Sequence, residues 1–152
     1  MAAGAFRFTT ALRVRNYEVD WQGIVHNAAY LLYFETGRVE YLEHMGVPMD
    51  EASVRGPSRV VVARNEIDYL APARYGDRIE VHTRVASVGT TSIVFEGVLR
   101  GAADGAVLAK NVCVLVWLDG ASGRPAPVPE RFRGRIAEFE GSAVPSRPAV
   151  SP

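Results

Sequence analysis

One helix-forming segment stands ahead of a nearly unbroken series of strand-forming segments, and this order restricts the fold more than any other feature. In residues 28–45 the apolar side chains cover an arc wider than a usual amphipathic face, which indicates a helix largely enclosed by other structure. Asn27 is a suitable N-cap for this helix, and Gly46 followed by Pro48 is a suitable stop. Four segments with alternating or β-branched residues follow, at 58–70, 77–88, 91–100 and 107–119.

A further strand is expected before the helix, because apolar and polar residues alternate through residues 6–19. Short glycine-containing connections favour antiparallel hairpins between the later strands. These elements predict an α+β fold in one domain (residues 1–140), with a five-stranded antiparallel sheet wrapped around one long central helix. Residues 129–139 are expected to form a short terminal helix, and the low-complexity tail 141–152 is predicted to be disordered.

Composition excludes several classes of function. The 152 residues carry 17 basic and 17 acidic side chains, and this balance argues against a nucleic-acid partner, which would require a basic surface. The single cysteine, Cys113, cannot form an internal disulfide and is expected to be buried in its apolar strand. No apolar run reaches the roughly 18 residues that span a bilayer. The first residues do not resemble a signal peptide, so the cytoplasm is the expected location and no membrane partner is expected.

The connection between the first strand and the helix places a lone carboxylate, Asp20, ahead of Gly23 and the helix start. The first N–H groups of a helix lack backbone partners, and the helix dipole favours negative charge there. Beside such groups a carboxylate could act on a polarised carbonyl, or it could only cap a turn. His26 is equally open, since a histidine at this junction either contacts the reacting group or is an ordinary polar residue.

Two motifs together resemble a known family. The stretches DWQGIVHNAAYLLYFE (20–35) and IDYLAPARYGD (67–77) are similar to the signatures of hotdog-fold acyl thioesterases of the 4-hydroxybenzoyl-coenzyme A type. The resemblance covers about residues 6–120. It implies that Asp20 is the catalytic carboxylate, acting as nucleophile or as general base, and that the backbone N–H of Asn27 stabilises the oxyanion.

The resemblance also implies contacts with the rest of an acyl thioester, and His26 is a third catalytic candidate. The residues expected to bind substrate are Gly23, Ile24, Tyr30, Arg59, Arg64, Thr91 and Ser92. The turn 87–92 lacks the basic cluster with which some family members hold the nucleotide of coenzyme A, so an acyl carrier protein is a possible partner. Glu35 matches a family position for an acidic residue, and either orients the site or pairs with Arg38.

The resemblance implies no metal and no cofactor, since coenzyme A or phosphopantetheine enters as part of the substrate. A homodimer or a homotetramer is expected, because the open edges of the sheet favour pairing with a second copy. Two other functions stay open at this point. One is a module that binds an acyl thioester without turnover, and the other is a hotdog hydratase or dehydratase that uses His26 with Glu35.

Overall fold

A long helix lies against one face of an antiparallel sheet in this computed structural model, which describes residues 5–141 and 146–147. The sheet order is β1-β3-β4-β5-β2, and each of these neighbouring pairs is antiparallel. The prediction of an α+β fold with a five-stranded sheet is therefore confirmed. The elements are β1 (Phe8–Arg13), α1 (Asn27–His44), α2 (Glu51–Val54), β2 (Ser58–Tyr69), β3 (Arg78–Gly89), β4 (Ser92–Gly101), β5 (Val107–Asp119), α3 (Glu130–Glu140) and β6 (Ser146–Arg147).

The two-residue strand β6 extends the sheet beside β3. It pairs in parallel with residues 88–89, at the end of β3 that β1 leaves uncovered. The prediction of a disordered tail at residues 141–152 did not anticipate this pairing of Ser146 and Arg147 with β3. The tail residues 142–145 and 148–152 lie outside the described residues.

Two glycines allow α1 to rest directly on the sheet. Gly37 lies on the helix, where an added Cβ would come within 2.7 Å of Thr83 Oγ1 and of Val81 Cγ1. Gly97 lies on β4, where an added Cβ would come within 2.7 Å of the Phe34 ring. Because side chains do not approach this closely, the helix and the sheet can meet here only through glycine.

Replacing Gly37 by alanine is expected to destabilise the fold by about 1–3 kcal/mol, because the new methyl group must push the helix away from β3. Alanine is a better helix former than glycine by about 1 kcal/mol, so the same substitution at an exposed helical site would raise the stability. Gly134→Ala is the matched control, since nothing lies within 4 Å of its added Cβ on α3. Urea unfolding of both variants measures the difference, and an unchanged or raised stability for Gly37→Ala would contradict the close packing.

His26, rather than Asn27, caps the start of α1. His26 has extended backbone angles, and its Nδ1 accepts the N–H of Ala28 at 3.0 Å. The prediction of Asn27 as N-cap is therefore wrong, because the histidine ring fills the role one residue earlier and Asn27 is the first helical residue. The helix ends where the sequence predicts, with Met45 as C-cap and Gly46 in the left-handed conformation at a φ of +83°.

Only one face of α1 is buried within a single chain. Leu31 and Leu32 are 39% and 57% exposed, so the predicted enclosure of the helix holds in part. Arg38 lies on the buried face and donates from Nη1 to Asn111 Oδ1 at 3.2 Å. Its burial lowers the pKa of the guanidinium, while electrostatic interactions with Cys113 and Glu35 act in the opposite direction. Among the described residues, no ion pair joins Arg38 to Glu35. The predicted pairing of Glu35 with Arg38 is therefore wrong, because the arginine turns towards the sheet.

Cys113 lies on β5 among the core residues and is fully buried, which confirms its predicted place. Burial raises the pKa of its thiol. Within the part of the chain that the structure describes, no helix combines the length and the apolar character that crossing a bilayer requires.

Candidate active site

A tight loop ahead of α1 carries Asp20. The Asp20 N–H donates to the carbonyl of Ile24 at 2.8 Å, and the Gly23 N–H donates to the carbonyl of Asp20 at 3.0 Å. Gly23 has a φ of +78°, which favours glycine, although an added Cβ would meet nothing within 4 Å. Gly23 therefore shapes the loop through its backbone rather than by making space.

The Asp20 side chain is held by this loop and faces a cleft. Its Oδ1 accepts the N–H of Gln22 at 2.8 Å, so the turn-capping role considered for this residue is present. Among the described residues, no group donates a hydrogen bond to Oδ2. The capping contact thus fixes the orientation of the carboxylate and leaves one oxygen for another partner.

The start of α1 supplies a free backbone donor to the same cleft. Within the described chain, the Asn27 N–H donates to no other group, whereas the next N–H, that of Ala28, is taken by the His26 ring. Because His26 Nδ1 accepts this bond, the proton of the neutral ring is on Nε2. The dipole of an 18-residue helix adds to the attraction of negative charge at this point.

Two tyrosines pack beside the helix start. Tyr69, at the end of β2, donates from its hydroxyl to the carbonyl of Asn27 at 3.0 Å. Its ring meets the ring of Tyr30 edge to face, with the centroids 5.2 Å apart. The Tyr30 hydroxyl accepts the N–H of Ala73 at 3.2 Å, and burial raises the pKa of this phenol. These contacts fix the first turn of α1 against the end of β2.

The carboxylate and the helix start bound one cleft of about 490 Å³. This volume lies in the usual range for sites that bind small molecules. Of the predicted site residues, Asp20, Asn27, Ile24 and Tyr30 all line it. The complete described lining is Asp20, Gln22, Ile24, Val25, Asn27, Tyr30, Tyr69, Leu70, Ala71 and Pro72.

The sequence patterns did not reveal Glu18, a buried carboxylate two residues before Asp20. Its side chain accepts hydrogen bonds from the Arg15 guanidinium at 2.6 and 2.9 Å and from the Tyr33 hydroxyl at 2.7 Å. Its backbone carbonyl accepts the N–H of His26 at 2.8 Å. Glu18 therefore ties the loop of Asp20 to the helix start. The sequence holds no local signal for this role, because Tyr33 lies 15 residues further on.

Burial would raise the pKa of the Glu18 carboxyl, but the hydrogen bonds from Arg15 and Tyr33 outweigh burial, and this pKa lies below its ordinary value. Burial and Glu18 together raise the pKa of the Tyr33 phenol. The ionised carboxylate and the neutral phenol are consequently the stable forms at neutral pH.

The structure does not bring Arg59 and Arg64 to Asp20 within one chain. Both lie on β2 with the side chains that point away from α1. Arg59 donates to the carbonyl of Gly120 at 2.6 Å, and Arg64 pairs with Glu66. The prediction that these two arginines contact the same substrate as Asp20 therefore does not hold within a protomer.

Thr91 and Ser92 are also distant from Asp20. Thr91 lies in the turn between β3 and β4, and Ser92 is the first residue of β4. The Thr91 carbonyl accepts the N–H of Trp117 at 2.7 Å. This turn lies at the end of the sheet opposite to the loop of Asp20, which pairs with Arg74 just before β3. Sequence spacing alone does not show whether two residues lie at the same end of a sheet or at opposite ends.

The histidine and carboxylate pair considered for a dehydratase is not assembled. His26 uses its Nδ1 to cap the helix, and Glu35 lies two turns further along on the exposed side. No hydrogen bond joins the two side chains among the described contacts. His26 is also absent from the described lining of the cleft, so its catalytic role stays a prediction.

Comparisons with known proteins agree with this fold. A family model described as the thioesterase-like superfamily matches residues 14–136. The chain is 33% identical over 129 residues to the chloroplast acyl-acyl carrier protein thioesterase ATL2 of Arabidopsis thaliana, covering 85% of this chain and 68% of that protein. A similar plant protein, ATL3, is covered over 66% of its length. The chain is 29% identical over 133 residues to the acyl-CoA thioester hydrolase YbgC of Escherichia coli, covering 88% of this chain and 96% of that protein.

A solved structure gives the same result. A thioesterase of Thermus thermophilus, complexed with coenzyme A and Zn, is 37% identical, with a TM-score of 0.78 over 91% of this chain and 97% of that one. Fold and comparisons together define a thioester hydrolase with the hotdog fold. The chain belongs to the thioesterase-like superfamily, and the predicted family and class of enzyme are confirmed.

Proposed function

We propose that this protein hydrolyses an acyl thioester of coenzyme A or of a carrier protein's phosphopantetheine arm, with Asp20 as the catalytic carboxylate and the Asn27 N–H as the oxyanion donor. One observation carries the proposal. Asp20 and Asn27 line the same cleft. Among the described residues, neither Asp20 Oδ2 nor the Asn27 N–H has a hydrogen-bond partner. A preorganised acceptor and donor in one cleft fit the attack on a carbonyl group and the charge that develops on its oxygen.

Hydrolysis can follow either of two balanced routes. As general base, Asp20 takes a proton from water, whose oxygen attacks the carbonyl carbon while the Asn27 N–H stabilises the oxyanion. The C–S bond then breaks, and the leaving thiolate takes up the proton. As nucleophile, an Asp20 oxygen attacks the carbonyl carbon, the C–S bond breaks, and the thiolate leaves behind a mixed anhydride. Water then hydrolyses the anhydride to the free acid and the Asp20 carboxylate, and the proton released from water goes to the thiolate. A thioester is already activated, so neither route needs a complete catalytic triad.

The carrier of the acyl group is proposed to be coenzyme A or a carrier protein. The relative ATL2 is named an acyl-acyl carrier protein thioesterase, and the relative YbgC is named an acyl-CoA thioester hydrolase. Both carriers place a phosphate beyond the pantetheine arm. The exposed Arg74 pairs with Ile24 beside the cleft, and Arg13 lies opposite Arg78 in the register of β1 with β3. We assign the phosphate to these three arginines. The cytoplasm remains the proposed location, since a single cysteine gives no sign of an oxidising compartment.

A homodimer is proposed because β2 is a long and uncovered edge strand. Its Val61 and Val62 are 41% and 50% exposed, and an apolar edge of this kind pairs readily with another strand. A bulge at Ala63 shifts the alternation of side chains between the two halves of β2. With this shift, the antiparallel register that places Ser58 opposite the partner's Tyr69 brings side chains of the same face together along β2. A homotetramer would consist of two such dimers.

Charge supports the same register. With Ser58 opposite the partner's Tyr69, Arg59 lies opposite the partner's Asp68 on the face away from α1. Opposite charges at directly facing positions stabilise a strand pair by about 0.2–1 kcal/mol. The two-fold axis produces this pair twice in each dimer.

Asp68→Arg is expected to weaken the dimer, because two arginines then face each other at both ends of the strand pair. The exchange variant Arg59→Asp with Asp68→Arg restores opposite charges and is expected to restore the dimer. Sedimentation velocity at a series of protein concentrations measures the association. A monomeric wild type, or an exchange variant no better than Asp68→Arg, would contradict the self-pairing of β2.

The thioester proposal is tested with wild-type protein and a panel of acyl-coenzyme A and acyl-carrier substrates that carry aryl, short and medium acyl groups. Release of free thiol from at least one substrate is the expected result. Ligand retained intact after long incubation would instead favour a binding module. Addition of water to an unsaturated acyl chain without thiol release would favour a hydratase.

A further inference from the structure

Tyr30 lines the Asp20 cleft, and the mechanism described above does not use its hydroxyl. The side chain is buried, and the hydroxyl oxygen accepts the N–H of Ala73 at 3.2 Å. A phenol can accept one hydrogen bond and donate another. Among the described residues, the Tyr30 hydroxyl donates to no group. Its proton is therefore available to a group that enters the cleft.

The free proton of Tyr30 contrasts with three other tyrosines on or beside α1. Each of the three donates its hydroxyl proton to an oxygen acceptor. The pairs are Tyr33 with Glu18 at 2.7 Å, Tyr41 with Glu140 at 2.6 Å, and Tyr69 with the carbonyl of Asn27 at 3.0 Å. Since buried polar groups nearly always have a hydrogen-bond partner, a buried donor without an acceptor at the edge of a cleft indicates a partner that comes from a ligand.

The fold holds the Tyr30 hydroxyl near the helix start. Tyr30 lies three residues after Asn27 on α1, so the two share one face of the helix, and both line the cleft. Ala73, which fixes the hydroxyl oxygen, directly follows the cleft residues 71–72. The ring of Tyr69 meets the Tyr30 ring edge to face at 5.2 Å. The hydroxyl is thus positioned before any substrate arrives, as a preorganised donor must be.

The site at Asp20 has room for a second donor to an oxyanion. The helix start offers the Asn27 N–H, but the N–H of Ala28 is already taken by His26. Oxyanion sites combine backbone N–H groups with side-chain donors such as tyrosine. The bond from the Ala73 N–H polarises the Tyr30 hydroxyl and makes it a stronger donor. Burial raises the pKa of this phenol, so it keeps its proton at neutral pH.

We propose that Tyr30 is a catalytic residue, whose hydroxyl donates a second hydrogen bond to the thioester carbonyl oxygen beside the Asn27 N–H. This inference rests on the proposed function and adds a donor to it. As an oxygen attacks the carbonyl carbon, the π electrons of the C=O bond move to the carbonyl oxygen, and the bond from Tyr30 strengthens. These electrons return when the C–S bond breaks. The proton stays on Tyr30 throughout, and the thiolate takes its proton from water as before.

Tyr30→Phe removes the hydroxyl and keeps the ring. We expect kcat to fall by about 10²-fold while KM changes by less than about threefold, because the lost bond is strongest in the transition state. Tyr41→Phe is the matched control on the same helix, since it removes a buried hydroxyl that donates to Glu140. Tyr41 lies outside the Asp20 cleft and outside a second cleft, of about 450 Å³, whose described lining includes Val60 and Trp117. Tyr41→Phe is expected to keep kcat within about twofold.

A bound ketone separates a contact with the carbonyl from an effect on the fold. In this analogue of the best coenzyme A thioester, a methylene group replaces the sulfur, so no bond can be cleaved. Its carbonyl carbon is labelled with ¹³C, whose chemical shift moves downfield as donors polarise the C=O bond. We expect a downfield shift on binding to the wild type, partial loss of that shift in Tyr30→Phe, and no loss in Tyr41→Phe. If Tyr30→Phe does not fold, 3-fluorotyrosine at position 30 keeps the hydroxyl as a stronger donor and is expected to move the shift further downfield.

The outcomes distinguish this inference from the proposed function. Absence of thiol release by the wild type from every substrate would overturn the proposed function and the role of Tyr30 with it. Thiol release by the wild type, with full kcat in folded Tyr30→Phe, would overturn only the role of Tyr30. A lower kcat with an unchanged ¹³C shift of the bound ketone would also overturn it, because the hydroxyl would then act through Ala73 and not on the carbonyl oxygen.

Discussion

Asp20→Asn is expected to lower kcat for thioester hydrolysis by about 10²–10⁴-fold, the usual contribution of a positioned acid or base. The amide oxygen can still accept the N–H of Gln22, so the turn keeps its shape. The amide cannot take a proton from water and does not attack a carbonyl carbon. Steady-state kinetics at neutral pH, with the best substrate of the panel, measure the loss.

Asp104→Asn is the control for this substitution. Asp104 caps an exposed turn between β4 and β5, where its Oδ1 accepts the N–H of Ala106 at 3.0 Å. The two aspartates therefore make the same kind of turn, but Asp104 lines neither cleft. We expect Asp104→Asn to retain full activity. Full activity of Asp20→Asn, with both variants folded, would remove Asp20 from the mechanism.

Glu18→Ala is expected to lower the free energy of unfolding by about 1–3 kcal/mol, because it leaves a buried hydroxyl without its acceptor, whereas the guanidinium that also loses its acceptor is exposed to water. The hydroxyl is that of Tyr33, which donates to Glu18 at 2.7 Å. The guanidinium is that of Arg15, which donates at 2.6 and 2.9 Å. Denaturant unfolding measures the loss, and a cost below about 0.5 kcal/mol would contradict the structural role of this network.

The contribution of Glu18 also has a defined pH dependence. Its pKa in the folded protein lies below the unfolded value of about 4.3, so the unfolded state binds the proton more readily. The stabilisation is therefore complete above this unfolded value and is lost as the pH falls through the folded pKa. We expect the stability difference between wild type and Glu18→Gln to be largest near neutral pH and to shrink on acidification.

Glu138→Gln supplies the baseline for this measurement. Glu138 lies exposed on α3, and its stability effect is expected to be small at every pH. Unfolding curves between about pH 7 and pH 3 compare the two variants in parallel, a range that brackets the unfolded pKa. A stability difference for Glu18→Gln that grows as the pH falls would show that the protonated form of Glu18 is the one the fold favours.

The sequence was sufficient for most of the fold because periodicity is a local property. The segment 107–119 was predicted as a strand from its nearly continuous apolar sequence, and β5 has these same bounds in the structure. Residues 28–45 were predicted as helix, and α1 spans Asn27–His44. Turn glycines and proline mark the ends of these elements without reference to the rest of the chain.

Charged residues show where sequence patterns failed. Glu18 and Arg38 both look like surface residues, yet both are buried because their partners come from distant parts of the chain. Arg59 and Thr91 appeared to be candidates for the substrate of Asp20, but the sheet separates them from it within a protomer. The catalytic role of Asp20 could be predicted only from the motif resemblance, because the residues around Asp20 do not by themselves distinguish catalysis from turn capping.

The two glycine contacts between α1 and the sheet have a consequence for how substrate preference can change. A side chain added at Gly37 or Gly97 would displace the helix from the sheet, so substitutions at these contacts disturb the whole core. The edge strand β2 instead carries exposed side chains, such as Val61 and Val62. Substitutions at this edge disturb few core contacts, so the range of substrates can drift in evolution while the stability of the fold stays nearly constant.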